Sequence, residues 1–135
     1  MFANIQKGFI QVMTILCVDD HPVIVNGLQN SVKRVYPDAS ILAFTGAKAA
    51  LAYAESYGCD VLICEIELYN HGGITLAEQI RKINPYVNII FATVCSEHEH
   101  AKEVLRLRPS GYLTKPIIES QLAEELLQLR YPVVR

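Results

Sequence analysis

Five short β-like runs, made up mostly of apolar residues, recur along the chain, and a segment with helical spacing follows each of them. The runs are residues 14–18, 40–44, 60–64, 88–92 and 111–114. Strands that are apolar along their whole length are buried on both faces, which is typical of a parallel sheet between two layers of helices. The alternation therefore predicts an α/β fold: a doubly wound, five-stranded parallel sheet with five helices.

The segments that follow the runs have the periodicity of amphipathic helices. They are expected over residues 22–35, 46–57, 74–83 and 97–108, and from 118 onward. Ser96 and Glu99 form a capping-box pattern for the fourth of these helices. Apolar stripes are predicted on the first, third and fifth helices: Ile24, Leu28, Val32 and Val35; Ile74, Ala77, Ile80 and Ile83; Ile118, Leu122, Leu126 and Leu129.

Length, charge and cysteine usage restrict the class of protein. The 135 residues correspond to one domain, and 51% hydrophobic residues are enough for a sizeable core. The net charge of -2 argues against a basic nucleic-acid-binding surface. No apolar run reaches the roughly 18 residues of a membrane span. The four cysteines lack CxxC spacing, so we expect reduced, mostly buried thiols in a cytoplasmic protein: Cys17, Cys59, Cys64 and Cys95.

Polar residues stand where the predicted strands end. Asp19 and Asp20 follow the first strand, Glu65 follows the third, Thr93 the fourth, and Lys115 the fifth. In a parallel sheet of this kind, ligands bind beyond the carboxyl ends of the strands. Three carboxylates suit a hard divalent cation such as Mg²⁺, and a hydroxyl with an ammonium suits a phosphoryl group.

Four segments resemble the signature segments of bacterial two-component response-regulator receiver domains. They are residues 18–22 (VDDHP), 60–66 (DVLICEI), 89–93 (IIFAT) and 111–116 (GYLTKP). They occur in the family's order, each at a strand end, and the resemblance covers residues 13–130. It implies a flavodoxin-like sheet with the strand order 2-1-3-4-5.

The resemblance also implies a role for each polar residue. Glu65 occupies the position whose carboxylate accepts a phosphoryl group from the phosphohistidine of a partner kinase. Asp19, Asp20, the Glu65 carboxylate and the backbone carbonyl of Glu67 are implied to bind Mg²⁺.

Three further residues complete the implied switch. Thr93 is expected to bind the phosphoryl oxygens, and Lys115 is expected to pair with their charge. The peptide bond between Lys115 and Pro116 is expected to be cis, which is common only before proline. Tyr112 is implied to turn inward when the Thr93 hydroxyl moves.

The phosphoacceptor position departs from the family pattern because Glu65 replaces an aspartate. Asp60, the nearest other aspartate along that strand, lies roughly 16 Å away. The extra methylene of Glu65 moves the carboxylate by about 1.5 Å, towards Thr93 and Lys115. A displacement of about 1 Å can cost on the order of 100-fold in an in-line attack. We therefore expect weakened Mg²⁺ binding and a domain that is independent of phosphorylation or mimics the phosphorylated state.

Other functions remain open from the sequence alone. The domain could be locked in its inactive state, act as a conventional receiver phosphorylated by a histidine kinase, or serve only as a protein-interaction module. A phosphohydrolase is disfavoured because Glu65 stands at the nucleophile position and no catalytic acid is present. We therefore expect a protein that is not an enzyme.

The resemblance extends to domain organisation and partners. We interpret residues 1–13 as an N-terminal extension, 14–131 as the receiver domain and 132–135 as the start of a linker to an output domain. The expected partners are a sensor histidine kinase, DNA through that separate domain, and a second copy bound through the fifth strand and the last two helices. No membrane contact is expected. His21 is read as a helix-start residue, and His98 and His100 as part of a solvated helix face.

Overall fold

The fold was analysed in a computed structural model, which describes residues 12–69, 72–94 and 100–133. The strands are β1 (Thr14–Val18), β2 (Ser40–Phe44), β3 (Val61–Cys64), β4 (Asn88–Thr93) and β5 (Gly111–Thr114). The helices are α1 (Pro22–Val35), α2 (Ala47–Tyr57), α3 (Gly72–Ile83), α4 (Ala101–Arg106) and α5 (Glu119–Leu127). Strands and helices alternate as the sequence predicts.

The five strands form one parallel sheet with the order β2-β1-β3-β4-β5. This confirms the predicted order 2-1-3-4-5. Val18 of β1 is paired with Cys64 of β3, so the residues that follow these two strands emerge side by side. Thr93 of β4 is likewise paired with Thr114 of β5, directly before Lys115.

Two apolar layers cover the sheet because successive residues of a strand point to opposite faces. One layer packs α1 and α5 against alternate strand residues such as Ile15, Ile63 and Ile90. The other packs residues of α2, α3 and α4 against the intervening ones, such as Leu62 and Phe91. Both faces of the central strands are therefore buried, which explains their continuous apolar sequence.

Some details of the helix prediction are wrong. Helix α3 begins at Gly72, two residues before the predicted start. Ile24, Ile83 and Ile118 are exposed, although each was assigned to an apolar stripe. Ile24 precedes the buried Val25, Ile83 is the last residue of α3, and Ile118 is the N-cap of α5. Within the described residues, α4 covers only Ala101–Arg106 of the predicted 97–108.

Three of the cysteines confirm the prediction of buried, reduced thiols. Cys17, Cys59 and Cys64 are buried and free. Burial raises the pKa of Cys17 to about 12, so its thiolate is disfavoured. Cys95, His98 and the predicted capping box of Ser96 and Glu99 lie outside the described residues. In the described part of the chain, no helix has the length and apolarity that a membrane crossing requires.

Candidate functional site

Asp19, Glu65 and Lys115 meet at the carboxyl-terminal edge of the sheet. Asp19 is 2% exposed and Glu65 is 4% exposed. The Lys115 ammonium donates to Oδ2 of Asp19, and its Nζ lies 2.6 Å from Oε1 of Glu65. One buried cation thus bridges two buried carboxylates that follow neighbouring strands.

The second oxygen of Glu65 is also held. The Thr93 hydroxyl donates a hydrogen bond to Oε2. The backbone N–H of Glu67 donates to the same oxygen over 2.9 Å. The carboxylate therefore has three donors from three parts of the chain: the loop after β3, the end of β4 and the residue after β5.

The local backbone brings these donors together. The peptide bond between Lys115 and Pro116 is cis. At Gly73, an added Cβ would lie 2.0 Å from the carbonyl oxygen of Glu65 and 2.5 Å from that of Ile66. Only glycine fits there, so helix α3 can start directly against the loop that carries Glu65.

Lys115 remains charged despite its burial. Burial alone works against the ammonium form, but hydrogen bonds and Coulomb attraction from Asp19 and Glu65 outweigh it, and the pKa of Lys115 is raised. The lysine is therefore a fixed positive charge at neutral pH, able to neutralise one of the carboxylates around it.

Asp20 and His21 extend the acidic group towards solvent. The backbone N–H of His21 donates to Oδ1 of Asp19 over 2.9 Å, and its Nδ1 lies 3.0 Å from that oxygen and 3.2 Å from Oδ1 of Asp20. His21 does stand at the start of α1, as predicted, but its ring also belongs to the site. The sequence signal was its position directly after two aspartates.

The acidic group has the chemistry of a cation site. One potential ligand atom from each of Asp19, Asp20 and His21 lies within 4.8 Å of the others. Oδ1 of Asp20 is buried, and although Nδ1 of His21 lies 3.2 Å away, this oxygen accepts no hydrogen bond from a described residue. An oxygen-rich group that includes a buried oxygen without a hydrogen-bond donor suits a divalent cation.

The prediction of a solvated surface is wrong for His100. Its Nε2 lies 2.7 Å from Oε2 of Glu67, and the ring is only 24% exposed. Glu67 follows β3 and His100 precedes α4, so this contact joins the loops after two neighbouring strands. The contact is not apparent from sequence because the two residues are separated by 33 positions.

Tyr112 lies on β5 and packs against the apolar layer that contains α4. Its hydroxyl oxygen is buried. The ring is therefore turned into the protein, and its role as a switch stays a prediction.

Comparisons with known proteins identify similar sequences. The family profile described as the response regulator receiver domain matches residues 15–127. The Fimbriae Z protein of Salmonella typhimurium is 24% identical over 102 residues, 76% of this chain and 49% of that protein. The transcriptional regulatory protein ZraR of the same organism is 32% identical over 85 residues, 63% of this chain and 19% of that protein.

Solved structures agree on the fold. A CheY-like response regulator receiver domain from Methanospirillum hungatei superposes with a TM-score of 0.77, at 23% identity over 87% of this chain and 92% of that one. The chain spans about half the length of the Fimbriae Z protein and a smaller part of ZraR.

Proposed function

Since this chain belongs to the response regulator receiver family, we propose that it is a receiver domain that works without phosphorylation, with Glu65 in place of the phosphoryl group. The family is a signalling module, and its members include transcriptional regulators such as ZraR.

The observation that carries the proposal is the bonding of the Glu65 carboxylate. Its oxygens accept from the Thr93 hydroxyl, the Lys115 ammonium and the Glu67 backbone N–H. Thr93 and Lys115 are the groups that the resemblance assigns to a phosphoryl group. A negative charge is thus permanently supplied to them by the longer side chain.

The same bonding disfavours attack on a phosphodonor. A carboxylate held on both oxygens must break hydrogen bonds to Thr93 or Lys115 before it can act as a nucleophile. It also lies about one C–C bond, about 1.5 Å, beyond the position of an aspartate carboxylate. Misplacement on the scale of about 1 Å costs on the order of 100-fold, so acyl-phosphate formation is strongly suppressed.

Mg²⁺ is the expected cofactor, with a lower affinity than a receiver with aspartate at this position. Asp19 and Asp20 would hold it, with the backbone carbonyl of Glu67. When bound, it would neutralise negative charge beside the phosphoacceptor position. Lys115 already neutralises part of the charge of Asp19 and Glu65, which reduces the attraction for the ion.

The wider role follows from the relatives. We infer a cytoplasmic regulator whose contact with DNA is made by a separate output domain, and whose output does not depend on a sensor histidine kinase. Two copies would pair through α4, β5 and α5. Leu105 of α4 is 72% exposed, which supports an apolar contact at α4.

The decisive experiment is intact mass after incubation with a small acyl phosphate and Mg²⁺, for wild type and Glu65→Asp. We expect only Glu65→Asp to gain the mass of one phosphoryl group, because its shorter arm frees the carboxylate for attack. Glu67→Asp is the matched control: it makes the same chemical change two residues away and should gain nothing.

The oligomeric state of the same samples tests the phosphoryl mimicry. Untreated wild type and phosphorylated Glu65→Asp should sediment alike, and unphosphorylated Glu65→Asp should differ from both. Phosphorylation of wild type would return the domain to a conventional phosphorylated switch. Identical sedimentation of all three samples would leave Glu65 without a role as a mimic.

A further inference from the structure

Asn88 organises the opposite, amino-terminal edge of the sheet. It is the first residue of β4 and fully buried. Its side-chain amide donates to the carbonyl of Tyr131 over 2.7 Å, and its Oδ1 accepts from the Tyr131 N–H over 2.8 Å. The Ser110 hydroxyl donates to the same Oδ1 over 2.6 Å. The segment after α5 is thereby fixed beneath the sheet.

This network brings three arginines to one corner of the molecule: Arg81 of α3, Arg108 of the loop before β5, and Arg130 after α5. The guanidinium carbon of Arg81 lies 5.5 Å from the ring centre of Tyr131. The backbone N–H of Arg130 donates to the Ser110 hydroxyl over 3.0 Å, and Arg108 stands two residues before that serine. We call Arg81, Arg108 and Arg130 the arginine cluster.

Across the described residues, the structure has no ion pair between any of these arginines and a carboxylate. Burial lowers the pKa of Arg81, and Arg108 and Arg130 lower it further, against the effect of Tyr131. Positive side chains that lack a paired carboxylate among the described residues attract an anion.

Two local features distinguish the arginine cluster from scattered surface charge. Arg108 has a φ of 48°, a left-handed conformation that costs energy for a residue with a Cβ. Nε of Arg81 is buried and donates no hydrogen bond to a described residue. Strained backbone and an unused buried donor are typical of binding sites.

An aromatic surface lies beside the cluster. The ring of Tyr86 is 5.8 Å from that of Tyr131, centre to centre, and Tyr86 is 68% exposed. An exposed tyrosine face can stack a nucleobase, and guanidinium groups match phosphate oxygens in pairs.

We propose that the arginine cluster is a binding site for a phosphate-class anion, separate from the phosphoacceptor edge of the sheet. Such an anion could be free inorganic phosphate or the phosphate of a nucleotide whose base stacks on Tyr86. Arg108 and Arg130 supply the exposed charges. Arg81, which also donates to the carbonyl of Val87 over 3.1 Å, holds the site to the sheet.

The test is an NMR titration of the full isotope-labelled chain, in which the backbone amide chemical shifts are measured. Inorganic pyrophosphate and ATP are added in separate titrations, without divalent cations. We expect saturable shifts at Ser110, Arg130 and Tyr131. Arg130→Ala and Arg108→Gly should each weaken binding by roughly tenfold, the loss of a charge-assisted hydrogen bond. Arg106→Ala removes an exposed arginine of α4 outside the cluster and should leave binding unchanged.

Arg108→Gly also distinguishes a loss of anion binding from a loss of folding stability. Glycine adopts positive φ without strain, so this variant should melt at a higher temperature than wild type while binding the anion less well. If ATP binds more tightly than pyrophosphate and Tyr86→Leu removes the difference, the ligand is a nucleotide. Equal affinities mean that the site recognises the phosphate groups alone. No saturable shift, shifts confined to the surroundings of Lys115, or an equal loss in Arg106→Ala would overturn the proposal.

Discussion

Buried polar groups at the two edges of the sheet are stabilised by different kinds of partner. At the carboxyl-terminal edge, ionised groups are paired with one another: Lys115 with Asp19 and Glu65. At the amino-terminal edge, a neutral amide, Asn88, is bonded to backbone groups of Tyr131. Paired charges can exchange one partner for an incoming ion or phosphoryl group. A backbone clamp cannot exchange partners without releasing the chain, so exchangeable charge pairs and a fixed attachment occupy opposite edges.

The largest effect is expected when the charge pairing is broken. Lys115→Met keeps the apolar stem but leaves Asp19 and Glu65 buried without their cation. Loss of one partner from a buried ion pair typically costs about 3 kcal/mol, and we expect a decrease of that size in the free energy of unfolding, measured with urea at pH 7.

Lys102→Met, at an exposed lysine of α4, is the control and should change stability little. Mg²⁺ should restore part of the stability of Lys115→Met, since a divalent cation can replace the lost charge near Asp19 and Asp20. If Lys115→Met unfolds at the same urea concentration as wild type, the paired charges are not a structural requirement and the contrast between the two edges fails.

A smaller effect is expected from removal of the neutral clamp. Asn88→Ala deprives the Tyr131 N–H and carbonyl and the Ser110 hydroxyl of their partner. Because the segment after α5 can reach solvent, we expect a loss of about 2 kcal/mol. The amide hydrogen of Tyr131 should also exchange faster.

Asn84→Ala is the matched control for Asn88→Ala. Asn84 also bonds two backbone groups, the carbonyl of Cys59 and the N–H of Tyr86, but in a more exposed turn. It should cost less than Asn88→Ala and leave the exchange of Tyr131 unchanged. Equal losses would mean that burial of the amide does not distinguish the clamp.

The smallest change in folding stability is expected at alkaline pH, where Lys115 loses its proton. The folded-state pKa of Lys115 is raised above its ordinary value of 10.5. Its stabilising contribution is therefore complete below about pH 10.5 and is lost as the pH rises through the folded-state pKa. Tyr36 and Cys17 also have raised pKa values and act in the same direction. The difference in alkaline unfolding between wild type and Lys115→Met isolates the lysine, and parallel profiles would contradict its raised pKa.

The fold could be predicted because its signals are local. Each central strand is a short apolar run, and each helix has its own periodicity, so element type and order follow from the sequence. The exposed ends of the stripes, Ile24, Ile83 and Ile118, could not be predicted. Where a helix leaves the sheet depends on the relative positions of the elements, which periodicity does not specify.

The site was predictable only in part. Strand ends gave Asp19, Glu65, Thr93 and Lys115, because the carboxyl ends of parallel strands share one edge. His100 was not found, since its partner Glu67 belongs to a different loop. Asn88 was read only as the start of a strand, because nothing in the sequence indicates that Tyr131 returns to it.

Strand β4 belongs to both edges, and this limits how it can move. Thr93 at one end is tied to Glu65, and Asn88 at the other is tied to Tyr131, with every residue between them buried. A slip of one position would turn each of these side chains to the opposite face of the sheet. Strand β4 therefore cannot slide along its own axis. A rearrangement at Thr93 is therefore confined to the rotation of its own side chain.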